Sequence, residues 1–110
     1  MNSDFIPEHV RLAVKHGANW LDENYPDWVE KINLYDLDMG DCQNCMIGQV
    51  VGDYNDIVRG DYGPQGKTVE WAQEHGFEVN DFDDMDSIYS EYVQLETVWS
   101  EEVRNRLGGN

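Results

Sequence analysis

The stretch Asp41-Cys42-Gln43-Asn44-Cys45-Met46-Ile47-Gly48-Gln49-Val50-Val51-Gly52-Asp53-Tyr54 holds both cysteines of the chain and joins a Trp-containing front half to a strongly acidic back half. Asp41 is a good N-cap residue, and Cys45, Met46, Ile47, Val50 and Val51 cover most of the circumference of a helix starting at Cys42. A helix apolar nearly all round belongs in the interior, so the stretch predicts a buried central helix over 42–54. Gly48 and Gly52 give it a thin face that neighbours can approach.

Moving outward toward the front, Pro7 and Glu8 suit a first helical turn. Val10, Val14, Gly17 and Leu21 then recur at helical spacing. Gly17 inside that stripe costs about 1 kcal/mol against Ala unless another backbone packs there, which predicts a close helix crossing. Asn24-Tyr25-Pro26 ends this helix and opens a short second one, Asp27 to Ile32. Residues 33–39 read as irregular or as one short extended stretch. Toward the back, Asn55 to Lys67 is rich in turn-forming residues and predicts an exposed loop. Thr68 caps a short helix ended by Gly76. A long final helix carries Ile88, Tyr92, Leu95, Trp99, Val103 and Leu107 as one stripe, with Arg104 and Arg106 in its last turn. The expectation is a mainly α, compact, single-domain fold over 1–110, with four to five helices, the central one packed between the first and last, and frayed ends at 1–5 and 108–110.

Charge is the strongest compositional fact. Seven Lys plus Arg against 23 Asp plus Glu give a formal net charge of -16. Such a chain repels nucleic acid and anionic membranes and attracts basic partners over long range. Between Lys67 and Arg104 there is no Lys or Arg. The connector around Asp81, Asp83, Asp84 and Asp86, with Glu91 beyond it, is the densest cluster and the expected partner-binding surface. An alternative is a nucleic-acid mimic that inhibits a DNA-binding protein. The final helix argues against it, since over ~30 Å it carries only Glu91, Glu96, Glu101 and Glu102, whereas duplex DNA presents roughly 18 charges.

Cys42 and Cys45 have the spacing of a redox dithiol or of half a zinc site. A helix start at Cys42 would lower the first thiol's pKa. A thioredoxin-like site, however, needs a preceding strand in an α/β sheet, and a zinc site needs two further ligands. His9 and His16, seven apart on a helix, are separated by about 10 Å of rise, too far to share a metal. Zinc at Cys42 and Cys45 is therefore the minor alternative, and no other cofactor is expected. Asp36-Leu37-Asp38-Met39-Gly40-Asp41 has its glycine one place early for a calcium loop, and Ile47 stands where a bidentate Glu belongs. Neither a hydrolase pattern nor a phosphate-cradling glycine loop is present, so no enzyme activity is expected. Two cysteines without an apolar leader after Met1, and no apolar run long enough to span a bilayer, predict a reducing, cytoplasmic setting. A homodimer through exposed aromatics such as Trp28 or Tyr54 is a further expectation.

His16-Gly17-Ala18-Asn19-Trp20-Leu21-Asp22-Glu23, Pro26-Asp27-Trp28, Ile32, Leu34, Leu37-Asp38 and Cys45-Met46-Ile47-Gly48-Gln49 resemble a family of small uncharacterised proteins from actinobacteria and their phages. Trp71-Ala72, His75-Gly76-Phe77 and Trp99 continue the resemblance. It implies a phage or actinobacterial cytoplasmic origin and transfers no catalytic residues. Family members often carry Cys-x-Cys before the Gly-Gln pair, whereas two residues separate the thiols here, which relaxes any strict metal geometry. Together these readings predict a small acidic accessory protein, encoded by a phage, that binds a host or phage protein through its acidic surface.

Overall fold

The computed structural model describes residues 6–58, 66–80 and 83–108. Of the ends expected to fray, only Gly108 is described, and its N–H donates to Arg104 O, while 1–5, 109–110 and most of the turn-rich 55–67 segment lie outside the described residues. Five helices follow in order: α1 (Glu8–Asn24), α2 (Trp28–Lys31), α3 (Met46–Val51), α4 (Val69–Glu74) and α5 (Met85–Leu107), with a 3-10 turn at Tyr54–Asp56. Among the described residues there is no strand, only an isolated bridge between Val58 and Lys67. The all-helical expectation holds, and α1 and α5 are the long elements.

α1 starts after Pro7, whose carbonyl accepts from Val10 and Arg11 N–H. It buries Val10, Ala13, Val14, Gly17, Ala18 and Leu21 on one face. That face packs directly on α5, which buries Leu95, Val98, Trp99 and Val103. α4 lies against α1, while α2 reaches both α3 and α5. A continuous aromatic series runs from the half-buried Trp20 and Trp71 into the core. Trp20 meets Trp71 edge-on at 4.9 Å, Trp71 stacks on Phe77 at 5.6 Å, Phe77 stacks on Trp99 at 5.4 Å, and Trp28 meets Trp99 edge-on at 5.9 Å. Offset and edge-to-face pairs of this kind add roughly 0.5–1.5 kcal/mol each beyond their buried area.

The structure corrects several expectations. The central helix spans Met46–Val51, not 42–54, although Met46, Ile47, Gly48 and Val50 are buried as an all-round apolar segment requires. Asp41 caps a preceding turn instead: its carboxylate accepts from Gln43 N–H at 2.8 Å and its carbonyl accepts from Cys45 N–H at 2.9 Å. The closest packing of α3 is on α2 and the 3-10 turn. Gly17 does mark a close approach, but its neighbours are the His75 carbonyl and the Trp99 ring. Gly48 admits the Cys42–Gln43 backbone. Residues 33–37 form hydrogen-bonded turns, Asp36 N–H to Asn33 O and Leu37 N–H to Leu34 O, so the extended stretch is absent there. Leu107 falls outside the buried stripe and is 63% exposed. Trp28, expected at the surface, is fully buried: its indole N–H donates to Asp22 Oδ1 at 2.9 Å and Arg106 lies over its ring at 5.3 Å.

Candidate functional site

The acidic connector leads into α5, and the helix start dictates what its carboxylates do. A helix leaves its first N–H groups without internal partners, and an Asp side chain satisfies one of them. Asp84 does this: Oδ1 accepts from Ser87 N–H at 2.9 Å and Oδ2 from Ser87 Oγ at 3.1 Å. Those donors hold its carboxyl below the ordinary 3.8. Asp86 lies in the first turn, where negative charge complements the helix dipole, and Asp83, Asp84 and Asp86 are all exposed. Asp81 lies outside the described residues. Glu91 stands apart from these carboxylates: half-buried, it accepts from both Asn80 N–H and Asn80 Nδ2 at 2.8 Å and so fastens the start of the connector to α5. The structure thus brings Asp83, Asp84 and Asp86 together and gives Glu91 a bracing role.

The other α5 carboxylates are also engaged. Glu96 accepts from Met39 N–H at 2.9 Å, Glu101 pairs with Arg11 at 3.1 Å, and Glu102 pairs with Arg106 at 2.8 Å. Burial, reinforced by the nearby Asp38 charge, raises the Glu96 carboxyl above its ordinary value against the opposing Met39 bond. Pairs this exposed contribute little stability each.

Sequence reasoning missed an apolar shoulder beside this acidic cap. Met85, Tyr89 and Val93, four apart, are 76%, 71% and 40% exposed. Val93 also lines a depression between α5 and the 34–37 turns, together with Leu34 and Leu37 and with the polar Glu96, Thr97, Ser100, Glu101 and Arg104. The i, i+4, i+8 spacing was a usable signal. It was masked by the neighbouring buried stripe through Tyr92, Leu95 and Trp99.

The two thiols occupy different environments. Cys42 is exposed and Cys45 is buried, and neither is in a disulfide. Cys45, rather than Asp41, caps α3: its Sγ accepts from Gly48 N–H at 3.3 Å. Burial pushes the Cys45 thiol up to about 11, so the helix start produces no thiolate there. Asn55 Nδ2 approaches Cys42 Sγ at 3.7 Å. Among the described residues no group of three or more His, Cys, Asp or Glu side chains is arranged to hold a metal ion. In the 36–41 segment, Asp38 and Asp41 accept from the Gly40 and Gln43 N–H groups and so serve turns. Beside the thiols, Glu78 receives Tyr54 Oη at 3.0 Å and Tyr92 Oη at 2.9 Å, one on each carboxylate oxygen. This clamp joins the 3-10 turn, the segment after α4, and α5.

Among the described residues no helix is long and apolar enough to cross a membrane. Comparison with protein-family models, curated proteins and solved structures finds no match for this chain.

Proposed function

We propose that this chain is a small acidic accessory protein, encoded by an actinobacterial phage, that acts without catalysis in the host cytoplasm by binding a basic surface on a host or phage protein. The observation that carries the reading is the chain from Lys67 to Arg104: it has carboxylates and no cation between those two residues, and its Asp83, Asp84 and Asp86 cluster is solvent-exposed beside an apolar shoulder. Carboxylates steer a basic partner into encounter, and adjacent apolar surface supplies the area that holds it. Mimicry of nucleic acid has weaker support. Glu91, Glu96, Glu101 and Glu102 are each turned to an internal donor and form no phosphate-like row. The origin rests on the resemblance of the Gly17–Glu23 and Cys45–Gln49 segments.

The test is a tagged pull-down from an actinobacterial host lysate at low and high salt, with retained proteins identified by mass spectrometry. A single abundant basic protein, released by salt and not displaced by duplex DNA, is the expected result. Displacement by DNA would transfer the assignment to mimicry, and no specific protein at either salt would sink the proposal.

A further inference from the structure

The apolar shoulder and the depression beneath it form one surface. Met85, Tyr89 and Val93 make a ridge along α5, and Val93 continues it into the depression it shares with Leu34 and Leu37, whose remaining lining is polar and holds Arg104 beside Glu96 and Glu101. Asp36 and Asp38 are exposed on the turn side and Asp83 and Asp86 at the α5 start, while Glu96 lines the depression with its carboxylate engaged by Met39 N–H. An i, i+4, i+8 ridge is the surface onto which a second helix packs its own groove. The alternative of strand addition lacks a template, since the described residues offer no strand edge. A second copy of this chain is disfavoured by charge: each carries -16, and a two-fold contact would set one acidic rim against the other.

We infer that the groove between α5 and the 34–37 turns receives a basic amphipathic helix of the partner protein, its apolar stripe on Met85, Tyr89 and Val93 and its Lys and Arg residues against the acidic rim. The inference rests on the proposed acidic-surface function and assigns it an address. The rim sets encounter rate and salt dependence, while burial of the exposed Tyr89 and Met85 side chains sets residence time.

The probe is a synthetic Leu/Lys peptide with leucines at helical i, i+4, i+7 spacing, compared with a scramble of identical composition, both titrated at low salt against the full chain. The patterned peptide is expected to bind at least about tenfold more tightly. The double variant Tyr89→Ser/Val93→Ser, checked for unchanged circular dichroism, should erase that advantage while leaving binding of the scramble as it was. Amide shifts induced by the patterned peptide should fall on 34–37 and 85–104. Equal binding of both peptides, unaffected by the double variant, would overturn the groove and leave the acidic-surface reading intact. Binding of neither would remove both. A wild-type dimer in light scattering that the double variant converts to monomer would assign the groove to a second copy and overturn the inference.

Discussion

Trp99 Nε1 donates a 2.7 Å hydrogen bond to the Gly76 carbonyl, joining the middle of α5 to the turn that ends α4. A buried indole N–H without a partner would carry a desolvation cost of about 1–3 kcal/mol, so the bond fixes where the α4 turn must lie. Gly76 adopts φ +74°, and a Cβ there would stand 2.8 Å from Val14 Cα. One step along, the His75 carbonyl fills the space that a Cβ on Gly17 would need. α1, the α4 turn and α5 therefore meet around two glycines and one tryptophan, and the acidic end of α5 is displayed from this junction.

The glycines fall into two groups, Gly76 and Gly17 against a packed backbone and Gly52 in open space. Gly76→Ala combines a left-handed backbone with a collision against α1 and should cost more than about 2 kcal/mol. Gly17→Ala should be comparably damaging, because the His75 backbone and the Trp99 ring, 2.9 Å from the new Cβ, must both shift. Gly52→Ala has φ +110° but open space around it, so only the backbone strain of about 1–3 kcal/mol remains. Urea unfolding of the three variants measures this. A Gly17→Ala protein as stable as wild type would refute the close approach at His75.

Cys42 and Cys45 should separate in any thiol assay. In the native protein Ellman's reagent should label Cys42 promptly, whereas Cys45, buried and held up to about 11, should react only after denaturation. Prompt labelling of both thiols in the folded chain would show that Cys45 is not the closed cap of α3.

The glycine and thiol behaviour also shows where the sequence was readable. α1, α4 and α5 were legible because a local signal marks each: Pro7 with Glu8, Thr68 bonded to Trp71 N–H, Asp84 bonded to Ser87 N–H, and apolar residues at one period. The 42–54 segment has apolar residues on every side, so periodicity could not place its start. A tight turn closed by Asp41 and Cys45 took the first residues, and Tyr54 N–H bonds back to Cys42 O. Trp28 was misplaced because what buries it is remote in sequence: Arg106, 84 residues from Asp22, donates to the same carboxylate that holds the indole. Of the candidate site, the Asp83, Asp84 and Asp86 cluster was legible as composition. The roles of Glu91 and Glu96 were not, because their partners Asn80 and Met39 arrive from other elements.

The Glu78 clamp predicts the alkaline limit of the fold. Burial first, and the Glu78 charge second, raise the Tyr54 and Tyr92 hydroxyls well above the ordinary 10.0. A group whose folded value is raised contributes stability that is complete below its unfolded value and is lost as pH climbs toward the folded one. Stability should therefore fall above about pH 10, and ultraviolet difference absorbance should show these two phenols ionising only as the chain unfolds. Tyr54→Phe and Tyr92→Phe should each cost about 1–2 kcal/mol at neutral pH and flatten the alkaline decline. An undiminished decline in the double Phe variant would place its origin elsewhere.

Glu96 supplies the complementary test at the acid end. Its folded value is raised, chiefly by burial, so by the same linkage its titration favours the fold below the ordinary 4.5 and opposes it as pH rises and the charge forms. The Met39 bond needs only an acceptor, which an amide oxygen provides as well as a carboxylate does. Glu96→Gln should therefore raise the melting temperature at neutral pH, with the gain vanishing once wild-type Glu96 is protonated. Glu96→Ala removes the acceptor and leaves the Met39 N–H without it, so it should cost about 1 kcal/mol, discounted where water reaches the site. Thermal melts of both variants across the acid range decide the matter. A Glu96→Gln protein less stable than wild type at neutral pH would mean that the carboxylate's charge, and not merely its oxygen, holds the Met39 turn against α5.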